Sequence, residues 1–118
     1  YLTEELGFDA GIDYKKDDFA EALAKAVPNG VDVYFENVGG TIADEVMKHL
    51  NRHARIPVCG TISNYNNTEQ EKGPRVQSTL IKHQALMRGF LVAEFSDDFE
   101  HASKELATWI QEGKIKTN

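Results

Sequence analysis

The chain has one cysteine, Cys59, only three prolines and one tryptophan, and no apolar stretch near the roughly 20 residues that a membrane span needs. A single cysteine excludes an intramolecular disulfide, so folding must rest on packing and hydrogen bonds, and a lone thiol fits a reducing, cytoplasmic setting. Basic residues are in deficit: 13 Lys and Arg against 19 Asp and Glu leave a net charge of −6. Such a surface cannot neutralise many phosphates along a duplex, which argues against nonspecific nucleic-acid binding. It still allows one local basic spot for a single phosphate, such as Lys15-Lys16. No signal peptide and no initiator methionine are visible. Tyr1-Leu2-Thr3-Glu4-Glu5 is acidic and reads as the middle of a helix, so the chain is expected to begin inside a longer protein.

What is present is an ordinary globular composition, with 41% hydrophobic and 27% charged residues over 118 positions, enough for one domain with a real core. Helix-like and strand-like segments alternate along it. Tyr1–Leu6 reads as a helix tail closed by Gly7, and Gly11–Tyr14 as a short strand. Asp17 or Asp18 caps a helix with Phe19, Ala22, Leu23 and Ala26 on its apolar face, ended by Pro28-Asn29-Gly30. A strand over Val31–Glu36 follows, then a helix over Thr41–Asn51 carrying Ile42, Val46 and Leu50 at spacing four. Arg55–Gly60 reads as another strand, with Pro57 awkward for a central ladder. A polar loop runs from Asn64 to Pro74, Ser78–Ala85 should be helical, and Met87–Phe95 should be a strand. In the last helix Asp97 stands three residues before Glu100 as a capping pair. Phe99, Ala102, Leu106, Trp109 and Ile110 share one face, with Phe99 and Trp109 in the core, and Gly113 ends the pattern. This alternation predicts an α/β fold, a parallel sheet with flanking helices.

The most informative run is Val31-Asp32-Val33-Tyr34-Phe35-Glu36-Asn37-Val38-Gly39-Gly40, a strand that stops at an Asn and two glycines and feeds a helix at once. Open α/β sheets bind ligands at the carboxyl ends of their strands, and glycine there lets another group approach the backbone. The same run also suits a plain strand–turn–helix junction without a ligand. If the sheet is parallel, Asn37-Val38-Gly39-Gly40 and Cys59–Tyr65 face one crevice. Asn37 then offers an amide donor and acceptor, Ser63 and Tyr65 add hydroxyls, and Phe90-Leu91-Val92 adds apolar surface from a third strand. His49 and His53 stand four apart, as metal ligands on a helix can, but no third ligand accompanies them, and Asn51–Arg55 reads as a basic helix end. No metal site is expected. Cys59 reads as a buried structural thiol, and the sequon Asn66-Asn67-Thr68 carries no weight without a sign of secretion.

The segments GFDAGIDYK, GVDVYFENVGG, CGTISNYN, MRGFLVAEF and WIQEGKIK, in this order, resemble the zinc-independent medium-chain dehydrogenase/reductases. The branch they are most similar to is that of prostaglandin reductases and alkenal/alkenone double-bond reductases. The resemblance spans essentially the whole chain, and it implies an NADP(H)-dependent enzyme reducing the α,β double bond of enals and enones. It implies that Tyr14 lies near the adenosine 2′-phosphate and that Asn37 is the cofactor-binding asparagine. Cys59, Gly60, Thr61, Ile62, Ser63 and Tyr65 would line the nicotinamide side, and Phe90, Leu91 and Val92 would form the next cofactor-contacting strand. Tyr65 would be the catalytic candidate, as proton donor or carbonyl partner, or else would only position the ribose or nicotinamide.

Other parts of the family pattern are missing from these residues. They lack the glycine-rich phosphate turn, the NADPH-selecting basic residue and the GroES-like substrate domain. The expectation is therefore that residues 1–118 are the C-terminal portion of an NADP-binding Rossmann domain, a partial sheet lacking the first two strands and inactive alone. With those strands absent, Val31–Glu36 becomes an exposed apolar edge, so a homo-oligomer through sheet edges, or a rearranged position for the Gly11–Tyr14 strand, is expected. Two alternatives stand beside this reading. One is a quinone oxidoreductase of the same superfamily; the other is a non-catalytic dimerisation module.

Overall fold

The computed structural model describes residues 1–117, which divide into two compact units. The larger comprises Ile12–Phe90; the smaller combines Tyr1–Gly11 with the chain from Leu91 onward. Among the described residues no helix is long and apolar enough to cross a membrane.

The larger unit is a three-stranded parallel sheet with helices. Its elements are α1 (Phe19–Ala26), β1 (Val31–Val33), α2 (Gly40–Met47), β2 (Leu50–Val58), α3 (Gln77–His83) and β3 (Leu86–Gly89). The sheet order is β1-β2-β3, with both pairs parallel, so the expected α/β parallel architecture is present. Helix α1 starts where Asp18 accepts a hydrogen bond from the Glu21 N–H at 3.3 Å, and Gly30, at φ +81°, turns the chain into β1. The crossovers β1–α2–β2 and β2–α3–β3 run in the same direction along the sheet, and residues of α2 and α3 pack into one core against it. The core sits there: Met47 of α2 packs with Leu50, Ala54 and Ile56 of β2, and Val31, Tyr34, Leu80 and Met87 close around them. On the other face Val33 and Phe35 are 67% and 59% exposed, and β1 is an edge strand. Phe35 meets Phe90 there, ring to ring at 6.1 Å and 69°.

Several expected boundaries move. Gly11–Tyr14 is no strand, and the sheet has three strands where four were expected. The Asp13 carboxylate accepts from the Lys15 N–H and its carbonyl from the Lys16 and Asp17 N–H groups, so a local turn satisfies the backbone instead. The helix expected through Asn51 ends at Met47, and Leu50 opens β2. The spacing of Ile42, Val46 and Leu50 competes with the two-residue period of Leu50, Ala54, Ile56 and Val58, and strand pairing wins. His49 and His53 are thus not on a common helix. His53 sits at φ +64° inside β2, where three more residues than on β1 separate the paired positions. Pro57 does occupy the central strand; its carbonyl still accepts from the Glu36 N–H at 3.0 Å. Strand β3 stops at Gly89, well short of Phe95, because the chain turns into a 3-10 helix over Val92–Asp98.

In the smaller unit Tyr1–Leu6 forms turns rather than a helix, with the Glu5 and Leu6 N–H groups donating to the Tyr1 carbonyl and Gly7 at φ +78°. Helix α4 (Phe99–Gln111) has Asp98 at its N-cap without a side-chain cap bond, so the expected Asp97 cap is not made. Gly113, at φ +72°, follows its end as expected. Phe99, Leu106, Trp109 and Ile110 do share a face but remain 40–48% exposed, which corrects the core placement of Phe99 and Trp109. Within its unit the helix packs beside the Val92–Asp98 turn.

Because Ile56 is 1% exposed, Ile56→Ala should lower stability by about 2–5 kcal/mol. The control Ile81→Ala, at a side chain 77% exposed, should change it by less than about 0.5 kcal/mol. Urea unfolding monitored by circular dichroism measures both; equal effects would mean that the core lies elsewhere.

Candidate functional site

The parallel pairing of β1 and β2 brings their carboxyl ends together and keeps the chains joined beyond the strands. Glu36 bridges Val58. Its carbonyl accepts from the Cys59 N–H at 2.8 Å and the Gly60 N–H at 3.3 Å. The Asn37 carbonyl then accepts from Ile62 at 3.2 Å, and the Val38 carbonyl from Ser63 at 2.9 Å. The turn before α2 and the loop after β2 therefore form one hydrogen-bonded surface.

On that surface the loop folds into a 3-10 turn over Ile62–Asn64. The Thr61 hydroxyl donates to the Asn64 side-chain carbonyl at 2.9 Å, and the Asn64 amide donates to Glu71 at 3.2 Å. The Tyr65 hydroxyl oxygen accepts from the Thr61 N–H at 3.1 Å, which brings the phenol back over Gly60. A methyl group at Gly60 would lie 2.5 Å from that hydroxyl and 2.7 Å from Asn37 Oδ1. Tyr65 and Asn37 thus converge over a residue with no side chain. Gly39 and Gly40 have φ of +78° and +61°, and a methyl at Gly39 would meet the Thr61 side chain at 3.1 Å. Two glycines are required here both by dihedral angle and by close approach.

The expected site residues separate into groups. Asn37, Cys59, Gly60, Thr61, Ile62, Ser63 and Tyr65 share the joined carboxyl edge, as the parallel sheet predicts. Cys59 is exposed, not buried; its main chain is held at the strand end while its side chain lies outside the packed face. Phe90 stays beside the site, its N–H donating to the Val58 carbonyl at 3.1 Å. Leu91 and Val92 belong to the smaller unit, are 73% and 65% exposed, and are not strand residues. Tyr14 stands in the Asp13–Asp17 turn, exposed, with the Lys15 ammonium 5.9 Å from its ring centre. No group of three or more His, Cys, Asp and Glu side chains among the described residues is arranged to hold a metal ion.

Glu36 is the residue that sequence reasoning passed over. It is 4% exposed, the only buried charged side chain among the described residues. Its Oε1 accepts from the N–H groups of Val38, at 3.0 Å, and Gly39. The available signal was an acidic residue at the end of an apolar strand, two and three positions before backbone donors that a turn leaves unpaired.

Residues 1–108 match the family model described as "Zinc-binding dehydrogenase". The chain is 55% identical over 118 residues to the putative NADP-dependent oxidoreductase YfmJ of Bacillus subtilis, covering 98% of this chain and 35% of that protein. It is 39% identical over 116 residues to prostaglandin reductase 1 of Oryctolagus cuniculus, covering 96% and 33%. Among solved structures, CurA from Vibrio vulnificus in complex with NADPH superposes with a TM-score of 0.88 at 42% identity, over 99% of this chain and 36% of that one. The chain spans about a third of the length of the curated relatives it matches.

The contact over Gly60 is testable in isolation, because no positive φ is required there. Gly60→Ala should displace the Tyr65 phenol and cost about 1–3 kcal/mol. The Thr61 amide resonance should shift and exchange faster; an unchanged Thr61 signal would mean that Tyr65 does not rest on this glycine.

Proposed function

The chain belongs to the zinc-binding dehydrogenase family, and from that premise we propose that it is part of the NADP-binding Rossmann domain of an NADPH-dependent oxidoreductase. The reaction we assign to the whole protein is reduction of the α,β double bond of enals and enones. The observation that carries this reading is the convergence of Asn37, Thr61 and Tyr65 at the joined carboxyl ends of two parallel strands. Relatives named for NADP dependence and for prostaglandin reduction, and a similar structure that holds NADPH, support it.

The donor set suits the nicotinamide–ribose half of a dinucleotide. Asn37 supplies an amide, and Thr61, Ser63 and Tyr65 supply hydroxyls, along an edge where Gly39 and Gly40 keep the backbone free of side chains. Asn37, Thr61 and Ser63 would hold ribose hydroxyls or the carboxamide. When bound, the reduced nicotinamide supplies the hydride that adds to the substrate β-carbon; a proton adds at the α-carbon. Tyr65 would assist at the carbonyl oxygen. Its oxygen is already an acceptor from Thr61, so its own O–H proton is left for donation to the oxygen on which enolate charge develops. Tyr14, exposed on its turn with Lys15 against it, would meet the adenosine 2′-phosphate.

NADPH titrated into the chain should give a saturable change in nicotinamide fluorescence, and Asn37→Ala should weaken binding by about tenfold through loss of the amide hydrogen bonds. A flat titration up to millimolar cofactor would overturn the cofactor assignment.

We also assign self-association to the edge strand β1, whose Val33, with Phe35 just beyond its end, stands exposed at the sheet edge. Light scattering after gel filtration should give a dimer or larger oligomer, and Val33→Lys should shift it toward monomer. A monomeric wild type removes this assignment and leaves the cofactor site untouched.

A further inference from the structure

Burying a carboxylate is costly, and Glu36 is buried with its Oε2 lacking a hydrogen-bond partner among the described residues. What compensates lies on the other oxygen. Oε1 takes the N–H groups of both Val38 and Gly39, while the main chain of the same residue is paired with Pro57, Cys59 and Gly60. The backbone and the side chain of Glu36 therefore act at opposite ends of one short loop. The backbone pins the strand end, and the carboxylate draws the next two peptide units back toward it. Asn37 lies between the two anchors. With the residues on both sides held, its peptide plane and its Cα–Cβ direction have little freedom, and its side-chain oxygen comes beside Gly60.

We propose that Glu36 is a positioning residue, whose ionised side chain shapes the Asn37–Gly40 turn and so aims the Asn37 amide at the ligand. The proposal rests on the cofactor reading for the identity of that ligand, a nicotinamide dinucleotide. The shaping of the turn is independent of it. Charge is what the geometry demands. One oxygen accepts from two N–H donors, and such bonds strengthen when the acceptor is ionised. A glutamine could offer one carbonyl oxygen to the same donors, but that neutral oxygen is the weaker acceptor for two N–H groups. An aspartate keeps the charge. Its shorter side chain accepts from the N–H two residues on, as Asx turns do, so it should hold the loop.

The test uses amide spectra of the full 118-residue chain, with and without NADPH. In the wild type the Val38 and Gly39 N–H groups should resonate downfield and exchange slowly; exchange at the rate of an open loop would overturn the proposal before any variant is made. Glu36→Gln should speed their exchange by about tenfold or more and shift the Asn37 side-chain NH2 signals, and Glu36→Asp should restore both. A Glu36→Gln spectrum identical to wild type at these sites would overturn the proposal. With NADPH, Glu36→Gln should raise the Kd by about tenfold while Glu36→Asp stays near wild type. Equal affinity of the wild type and Glu36→Gln would overturn it, and failure of Glu36→Asp to recover the Asn37 signals would show that shape, not charge, is decisive and would also count against it. If the wild type ignores NADPH while the amide pattern appears as described, the cofactor reading fails and the shaping of the turn stands.

Discussion

Everything at the carboxyl edge depends on one parallel bridge, Glu36 opposite Val58. In most strand–turn–helix units the chain leaves the sheet after its last paired residue and the neighbouring loop goes its own way. Here the pairing continues, from Glu36 to Cys59 and Gly60, from Asn37 to Ile62, and from Val38 to Ser63. The distance between the two loops is thereby set by backbone hydrogen bonds of 2.8 to 3.3 Å and not by side-chain packing. That matters because the side chains in question are mostly exposed, and exposed polar groups do not hold each other in place. The proline in the central strand does not disturb this arrangement. Its carbonyl, the group a proline retains, is the one that receives the Glu36 N–H.

The packing that supports this edge is one-sided. The main buried cluster of the larger unit, Met47, Leu50, Ala54 and Ile56, lies between the sheet and the helices α2 and α3, with Leu80 and Met87 packed against it. The opposite face carries Val33, Phe35 and Leu86 at 51–67% exposure. These apolar side chains lie on the face opposite the buried cluster, and Val33 is on an edge strand.

How much of this was legible in the sequence depended on whether the signal was local. Asp18 as a cap, Gly30 and Gly113 as stops and the parallel alternation were all written in short-range chemistry, and they hold. So was the grouping of Asn37 with Gly60, Thr61 and Tyr65, since a parallel sheet brings successive strand ends to one edge. What failed was decided at longer range. Leu50 satisfies a helical spacing and a strand alternation equally well; pairing with Val31 decides between them. Gly11–Tyr14 has strand-like composition, yet without a partner its Asp13 takes the nearby N–H groups for itself. Phe99 and Trp109 mark an apolar face correctly, but a face is not a core until something covers it. Glu36 went unnoticed because burial of a charge cannot be seen in composition; it follows from the two backbone donors that the turn happens to point at it.

The glycines at this edge show why absence of a side chain can be as specific as its presence. Gly39 and Gly40 need positive φ, which is the familiar reason for glycine in a turn. Gly60 does not; its φ lies outside the left-handed region. Its role is spatial. A Cβ at this position would stand 2.5 Å from the Tyr65 hydroxyl and 2.7 Å from the Asn37 amide oxygen, so both groups reach this edge only because the residue has no side chain. A polar pair brought together in this way is aligned by exclusion as well as by hydrogen bonds. The Thr61 N–H holds the phenol from one side, and the backbone of residue 60 supports it from below. The volume that an alanine would fill is the volume that lets the phenol and the amide come together over this residue.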